Sequence, residues 1–535
     1  MSLRGWFLIG SLVAFIWAGA VSWVQPAYFT VFFVLVPLFV LGVVDMTQKT
    51  HSVRRNFPVI GNLRYFFEFI RPELQQYFVE SDLDGRPIPR ELRSLIYQRA
   101  KGQDESVPFG TQKDVYAESY DWVNHSVFTS KLPEEELRYL IGGDQCKKPY
   151  SASRLNISAM SYGSLSPNAI MALNRGAQKG GFYHNTGEGG ISPYHRQGGD
   201  LVWQIGTAYF GCRTLDGEFD KELFRKKSQF PEIKMIEIKL SQGAKPGKGG
   251  LLPAAKVSEE VAEIRNVRPH ETIISPASHS AFDSPDGLIH FVQHLRDLSG
   301  GKPVGFKLCV GKRPEFLEIC RAMIRNNIYP DFITVDGSEG GTGAAPLEFT
   351  NHIGTPLNEG LHFVVETLRG FNIRDRIRVI ASGRVFDAFQ LLTKLVIGAD
   401  GVNSARGMMM ALGCIQALRC HTNHCPVGVA TTDKRFYKGL HIPSKADRVA
   451  GFHERTLHAL KAIIEAMGVK SIANLSKRNF YRRTDSENQD TFEQIFPSVE
   501  AGILLKSDDK LSPYWREFFY DDDSAASDFP GSALV

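Results

Sequence analysis

The stretch Ile377–Gly407 reads I-R-V-I-A-S-G-R-V-F-D-A-F-Q-L-L-T-K-L-V-I-G-A-D-G-V-N-S-A-R-G. Two short apolar strands, Ile377–Ala381 and Gly401–Ser404, each run into a small-residue loop: Ala381-Ser382-Gly383-Arg384 and Asn403-Ser404-Ala405-Arg406-Gly407. Strands, Gly-rich loops and helices in alternation favour an α/β fold with parallel strands. Small residues let backbone N–H groups approach a phosphate, and Ser and Arg add donors. One such loop is an ordinary tight turn. Two of them, one strand apart at the end of a barrel, point to a phosphate-bearing cofactor.

Working outward, the same alternation begins at Tyr150. Candidate strands are Leu155–Ala159, Gly181–Asn185, Val202–Gly206, Met235–Leu240, Thr272–Ser275, Val304–Val310, Phe332–Val335, Ile377–Ala381 and Gly401–Ser404. That is one more than a (β/α)8 TIM barrel needs, and the surplus is expected to be an insertion before Val304. An open doubly wound sheet is the alternative. It would show a G-x-G-x-x-G turn followed by an acidic residue, and no such turn is present. Lys307, in V-G-F-K-L-C-V-G, stands on an otherwise apolar strand. Pointing into a barrel it needs an anionic partner; pointing outward it is a plain surface residue.

Further on, Ala411–Thr431 reads A-L-G-C-I-Q-A-L-R-C-H-T-N-H-C-P-V-G-V-A-T, with Cys414, Cys420 and Cys425 spaced C-x5-C-x4-C. Three readings compete. A zinc site would draw on His421 or His424, but zinc knuckles usually come as C-x2-4-C pairs, which this stretch lacks. Three cysteines in a buried turn is the plain alternative. An iron–sulfur cluster is favoured, and three thiolates match a three-iron cluster with one corner free.

The run from Gly413 to Thr431 resembles the [3Fe-4S] loop of glutamate synthases, which in that family follows an FMN-bearing (β/α)8 barrel. Ser158–Ser166 (S-A-M-S-Y-G-S-L-S) resembles the family's strand-one loop, and Gly337–Pro346 (G-S-E-G-G-T-G-A-A-P) its G-H-D-G-G-T-G-A-S-P run. Ser338 and Glu339 stand here for His and Asp. Asn185–Gly190 and Gln242–Val257 are family-like as well. The resemblance implies FMN held by Ser158, Ala159, Met160, Ser161, Lys307, Gly383, Arg384, Ser404, Ala405 and Arg406. It implies 2-oxoglutarate held by Glu188, Gln242, Lys245 and Arg265, and a [3Fe-4S] cluster on Cys414, Cys420 and Cys425. Lys307, Glu188 and Lys245 would then be catalytic. The chemistry implied is reductive amination of 2-oxoglutarate to glutamate. Alternatives are the same cofactors acting on another amino acid or imine, as in an N-methylglutamate synthase-like subunit, or a non-catalytic electron-transfer subunit.

At the N-terminus, Trp6–Val24 and Tyr28–Val44 are uncharged apolar runs, each about long enough to cross a bilayer. Arg4 precedes them and Lys49, Arg54 and Arg55 follow, so both ends are expected in the cytoplasm. Ala18-Gly19-Ala20 also resembles a signal-peptidase site, and cleavage there would leave one span. The expected organisation is a transmembrane hairpin (1–48), an N-terminal cytosolic segment (49–147), the barrel with its cysteine loop (148–480), and a C-terminal extension with an acidic tail (481–535). In the segment after the hairpin, Leu63–Phe78 has helical apolar spacing, and packing on the barrel is expected over the bilayer surface.

Composition adds limits. A hydrophobic fraction of 43% with 22% charged residues describes a folded globular chain, and a net charge of +4 with no basic aromatic patch gives no sign of nucleic-acid binding. Seven cysteines, three in one motif, do not make a disulfide framework. The chain begins Met1-Ser2-Leu3 and its first cysteine is Cys146, so glutamine hydrolysis by an N-terminal Cys is not expected. Ammonia is then external, and electrons come from a reductase, a ferredoxin or a quinone-linked protein.

Overall fold

The computed structural model describes residues 3–506 and 513–519. Two compact units divide at Glu91/Leu92. The division falls within the segment read as 49–147.

In the first unit, helices α1 (Leu3–Val24) and α2 (Phe32–Thr47) form an antiparallel pair. Phe15 meets Phe39 edge-on at 5.5 Å, and the Arg4 guanidinium donates to Met46 O at 3.1 Å, closing the two ends together. The segments Leu3–Val24 and Pro26–Thr47 are each 22 residues, long and apolar enough to cross a membrane by length and composition. Asp45 is buried at the end of α2, where its carboxylate accepts from Val59 N (2.9 Å) and Asn62 Nδ2 (2.5 Å). That contact fixes the start of α3 (Gly61–Leu74). Along α3, Leu63, Phe66 and Phe67 are exposed.

In the second unit, eight parallel strands close into a barrel in sequential order. They are β1 (Leu155–Ile157), β2 (His184–Asn185), β3 (Leu201–Ile205), β4 (Ile233–Lys239), β5 (Val304–Leu308), β6 (Phe332–Asp336), β7 (Arg378–Ser382) and β8 (Gly401–Ser404). The surplus candidate near Thr272 is Ile273–Ile274, which pairs antiparallel with Leu251–Leu252 outside the barrel. Those two strands belong to the long β4–β5 connection, so the closed sheet needs no ninth member.

Crossover helices follow ordinary capping chemistry. In α4 (Pro167–Gly180), Ser166 Oγ accepts from Ala169 N, Pro167 opens the first turn, and Gly181 closes it at φ 64°. α4 packs against the long helix α5 (Ile442–Ala466) that follows the cysteine loop.

Inside the barrel, side chains stack in layers. The hairpin Arg138–Ile141/Tyr150–Ser153 contributes Tyr139, Ile141, Tyr150 and Ala152 to an apolar cluster with Tyr183, Val202, Met235, Phe332 and Ile380. This plugs the N-terminal end. The next layer is polar: Glu237 accepts from Asn185 Nδ2 (2.8 Å), Gln204 Nε2 (2.6 Å) and Thr334 Oγ1 (2.7 Å). A buried carboxylate is tolerated only with such donors.

Beyond Phe480, Phe480–Arg483 forms a three-stranded sheet with Asp121–Val123 and Gln489–Thr491. Phe492, Phe496 and Leu504 are buried, so Phe492–Leu505 does pack on the barrel's unit. The expected acidic tail, 521–535, lies outside the described residues.

Buried imidazoles make the fold acid-sensitive, with burial lowering the pKa of His184 and His362 as well as of the three that follow. Burial pushes the pKa of His195 and His279 down to about 4 and that of His453 to about 3. An unfolded His protonates near 6.5, so between these values the unfolded chain binds more protons. Stability is expected to fall as pH drops through 6.5, ultimately by on the order of 3 kcal/mol for each imidazole. Urea unfolding at pH 7 and pH 5 reads the slope, and His453→Gln should flatten it; an unchanged slope would refute the assignment.

Candidate active site

The C-terminal ends of the strands open into a cleft of about 410 Å3, a volume that includes open solvent at its mouth. Ser158 and Ala159 reach it after β1, Gln242 after β4, and Lys307 and Asp336 from β5 and β6. Ser382-Gly383-Arg384 and Ser404-Ala405-Arg406 line it after β7 and β8. Met160 and Ser161, expected beside the cofactor, are not among the lining residues. They pack against the next loop, where Gly187 (φ 65°) leaves room that a Cβ would fill at 2.8 Å from Ser161 N.

Lys307 points inward. Its ammonium lies 3.6 Å from Asp336 Oδ2, and both side chains are buried. Burial alone would lower its pKa, but the carboxylates of Asp336, Glu237 and Glu188 outweigh that and hold it above the ordinary lysine value. Asp336 also accepts from Gly243 N at 2.8 Å, pinning the loop after β4. Gly243 is required there, because a Cβ would fall 1.8 Å from Gly337 O.

The two small-residue loops carry positive charge. Burial first, and then Arg384, push the Arg406 guanidinium down to about 10. Two guanidiniums facing one cleft are relieved by an anion, so these loops fit a phosphate. Arg384 itself sits at φ 30°. Glu339, which replaces the family's Asp, is occupied elsewhere: its carboxylate accepts from Leu357 N (2.9 Å), capping the helix Leu357–Gly370.

Beside the cleft, the four residues expected to hold a dicarboxylate come together. Burial would raise the pKa of Glu188, but Lys239, Lys245 and Arg265 hold it below the usual value. Lys239 Nζ lies 2.7 Å from Glu188 Oε1 and 3.2 Å from Gln242 Oε1. Arg265 is only 4% exposed, which places it in the site and not in solvent. It ends the short helix Glu259–Arg265, which Ser258 caps and Asn266 closes at φ 56°. Its Nη2 donates to Tyr162 O at 3.1 Å, while the buried Nε meets no partner among the described residues. Burial and Lys239 push the Lys245 ammonium down. Three cations thus surround one carboxylate, leaving two positive charges for a ligand.

Lys239 and Asp336 escaped the sequence reading. The signal was there: Glu237 and Lys239 alternate along β4, as Thr334 and Asp336 do along β6, each pair on one face at period two. Cys309, just past the end of β5, is buried, and burial pushes its thiol up to about 12.

The three loop cysteines lie within electrostatic reach of one another. Burial pushes the Cys414 thiol up to about 12, with Cys420 and Cys425 adding to it. Gln416, Leu418 and Asn423 take left-handed φ of 57°, 54° and 66°, costly for side chains of this kind. Among the described residues no three His, Cys, Asp or Glu side chains close on a single ion, and His421 and His424 are exposed. The same absence holds for Cys414, Cys420 and Cys425 as well as for the two histidines. Lys256 Nζ bridges Ser164 O (2.9 Å) and Ala430 O (3.1 Å), tying the strand-one loop to the end of the cysteine loop.

Residues 111–470 match the family described as a conserved region in glutamate synthase. The chain belongs to the glutamate synthase family. It is thereby an oxidoreductase of glutamate synthase type. It is 38% identical over 484 residues to the glutamate synthase large subunit-like protein YerD of Bacillus subtilis, covering 82% of this chain and 92% of that protein. It is 33% identical over 396 residues to the archaeal glutamate synthase [NADPH] of Methanocaldococcus jannaschii, covering 74% and 70%. An archaeal-type glutamate synthase of Thermotoga neapolitana is 32% identical over 320 residues, 59% of this chain and 60% of that one. Among solved structures, a flavocytochrome b2 variant aligns at 13% identity over 79% of this chain and 86% of its own, with a TM-score of 0.42. That overlap adds nothing to the barrel, which strand pairing already establishes.

Lys239→Met leaves Glu188 buried with one cation fewer. It is expected to cost about 1–3 kcal/mol, most of it recovered when Glu188→Leu is added. A double-mutant cycle in urea measures the coupling; additive losses would show that the two do not interact.

Proposed function

We propose that the protein is an FMN- and iron–sulfur-dependent glutamate synthase-like enzyme that aminates 2-oxoglutarate to glutamate with ammonia supplied from outside the chain. The observation that carries this is the cation cluster of Lys239, Lys245 and Arg265 around Glu188, next to a phosphate-compatible cleft. Its two uncompensated charges match a dicarboxylate.

In this reading Ser382–Arg384 and Ser404–Arg406 would hold the FMN phosphate, and Lys307, which lines the same cleft, would offset negative charge on the cofactor. When bound, FMN would supply the hydride, and Cys414, Cys420 and Cys425 would hold a [3Fe-4S] cluster able to supply electrons. Arg265 and Lys239 bind the substrate carboxylates, and Gln242, which lines the cleft and bonds Lys239, orients the carbonyl toward it. Ammonia condenses with that carbonyl to an imine and water. Lys245, its ammonium already destabilised, gives a proton to the departing oxygen, while Glu188 stays charged and positions the lysines.

The helices α1 and α2 anchor the enzyme in a membrane, with the barrel on the cytoplasmic side. The apolar length of both helices and the basic residues flanking them support this. A reductase, ferredoxin or quinone-linked protein delivers the electrons.

Purified protein with a flavin spectrum that is bleached by glutamate, or reoxidised by 2-oxoglutarate plus ammonia, is the expected result. A flavin that answers instead to another amino acid would shift the substrate, and protein without flavin would leave only an electron-transfer or scaffold role. Cys420→Ser is expected to lose iron and the cluster's electron-paramagnetic signal while thermal unfolding of the barrel is unchanged. Full iron content in that variant would overturn the ligand assignment.

A further inference from the structure

The helix α3 and the turn after it, Gln75–Val79, carry an apolar stripe that the proposed chemistry does not use. Leu63, Phe66, Phe67, Ile70 and Leu74 are spaced i, i+3, i+4, i+7 and i+11, so they share one helix face about 100° wide. At helical spacing Tyr77 and Phe78 continue it. Arg64, Glu68 and Arg71 occupy a flank. The stripe is open: Leu63, Phe66, Phe67, Leu74 and Tyr77 are exposed, and Phe78 is 81% exposed. A soluble surface rarely leaves so many large apolar side chains together.

Two features say what covers it. The first is continuity. Asp45, at the end of α2, grips Val59 N and Asn62, so the stripe starts where the second apolar helix stops. The second is charge. Between Gln48 and Val79 the chain has Lys49, Arg54, Arg55, Arg64 and Arg71 against Glu68 and Glu73. Aromatic bulk on one side with a basic excess around it fits the headgroup boundary of an anionic bilayer. A second copy pairing stripe to stripe would bring two basic segments face to face.

We propose that residues 61–79 form an interfacial helix lying in the headgroup layer of the bilayer that α1 and α2 enter, with the aromatic stripe toward the acyl chains and Arg64 and Arg71 at lipid phosphates. The proposal rests on the membrane reading of α1 and α2. It makes the lipid surface a binding partner in its own right, with the chain leaving the hairpin along the membrane plane.

The test reconstitutes the full chain in phosphatidylcholine–phosphatidylglycerol vesicles doped with a diazirine-bearing phospholipid, followed by irradiation, digestion and mass mapping of adducts. Adducts are expected both within residues 3–47 and on peptides covering Leu63–Phe78. A Phe66→Glu, Phe67→Glu, Phe78→Glu triple variant should lose labelling of 61–79 by about fivefold or more, with 3–47 still labelled and barrel unfolding unchanged. Labelling of 3–47 with none on 61–79 overturns the interfacial helix and leaves the anchor standing. Labelling of neither overturns the anchor and the proposal together. Cross-links joining 61–79 of two copies, without lipid adducts there, overturn it in favour of self-association.

Discussion

Lys307 and Asp336, buried and 3.6 Å apart at the barrel mouth, are the contact on which the site depends. An ammonium inside a barrel is affordable only beside carboxylates, and here Asp336, Glu237 and Glu188 together overcome the cost of burying it. Asp336 has a second duty. By accepting from Gly243 N it holds the loop that carries Lys245, so one carboxylate fixes both the cleft's lysine and the neighbouring cation cluster. In register, Lys307 lies beside Lys239 across β4 and β5, and each lysine has its own carboxylate, Asp336 and Glu188.

The barrel is built to present this pair. An apolar plug fills its N-terminal end, the Glu237 network of neutral donors lies above it, and charge is confined to the mouth. This order follows solvation: each step toward the mouth brings more polar partners and lowers the cost of a charge. The long β4–β5 connection extends that surface. It brings Arg265 to the cleft's edge and sends Lys256 to bridge the strand-one loop and the cysteine loop. The strand-one loop and the cysteine loop are thereby held together by one side chain.

Within the cysteine loop, three non-glycine residues sit in left-handed backbone. Asn423 offsets part of that strain by accepting from Thr432 N (2.8 Å) and donating to Ala255 O (2.8 Å). Backbone of this kind persists where the surroundings over-determine it, and such places tend to be functional.

Much of this was legible in the chain. The alternation of strands and loops favoured a parallel α/β fold, and its nine candidate strands were one more than a barrel needs, with the surplus expected before Val304. The loops at Gly383–Arg384 and Ser404–Arg406 and the spaced cysteines could be chosen from residue type and local pattern, while Glu188, Gln242 and Lys245 were singled out by runs that resemble the family's. Periodicity records which face of a segment is buried, and nothing more. It passed over Lys239 and Asp336, and it did not decide whether Arg265 faces solvent or the site. Those outcomes turn on side chains from segments 50 to 150 residues apart meeting when the sheet closes, as Lys239 meets Glu188 and Asp336 meets Gly243. Local sequence determined the elements and their polarity; closure of the barrel decided which charges face one another, because a buried charge is set by its neighbours in space and not by those along the chain.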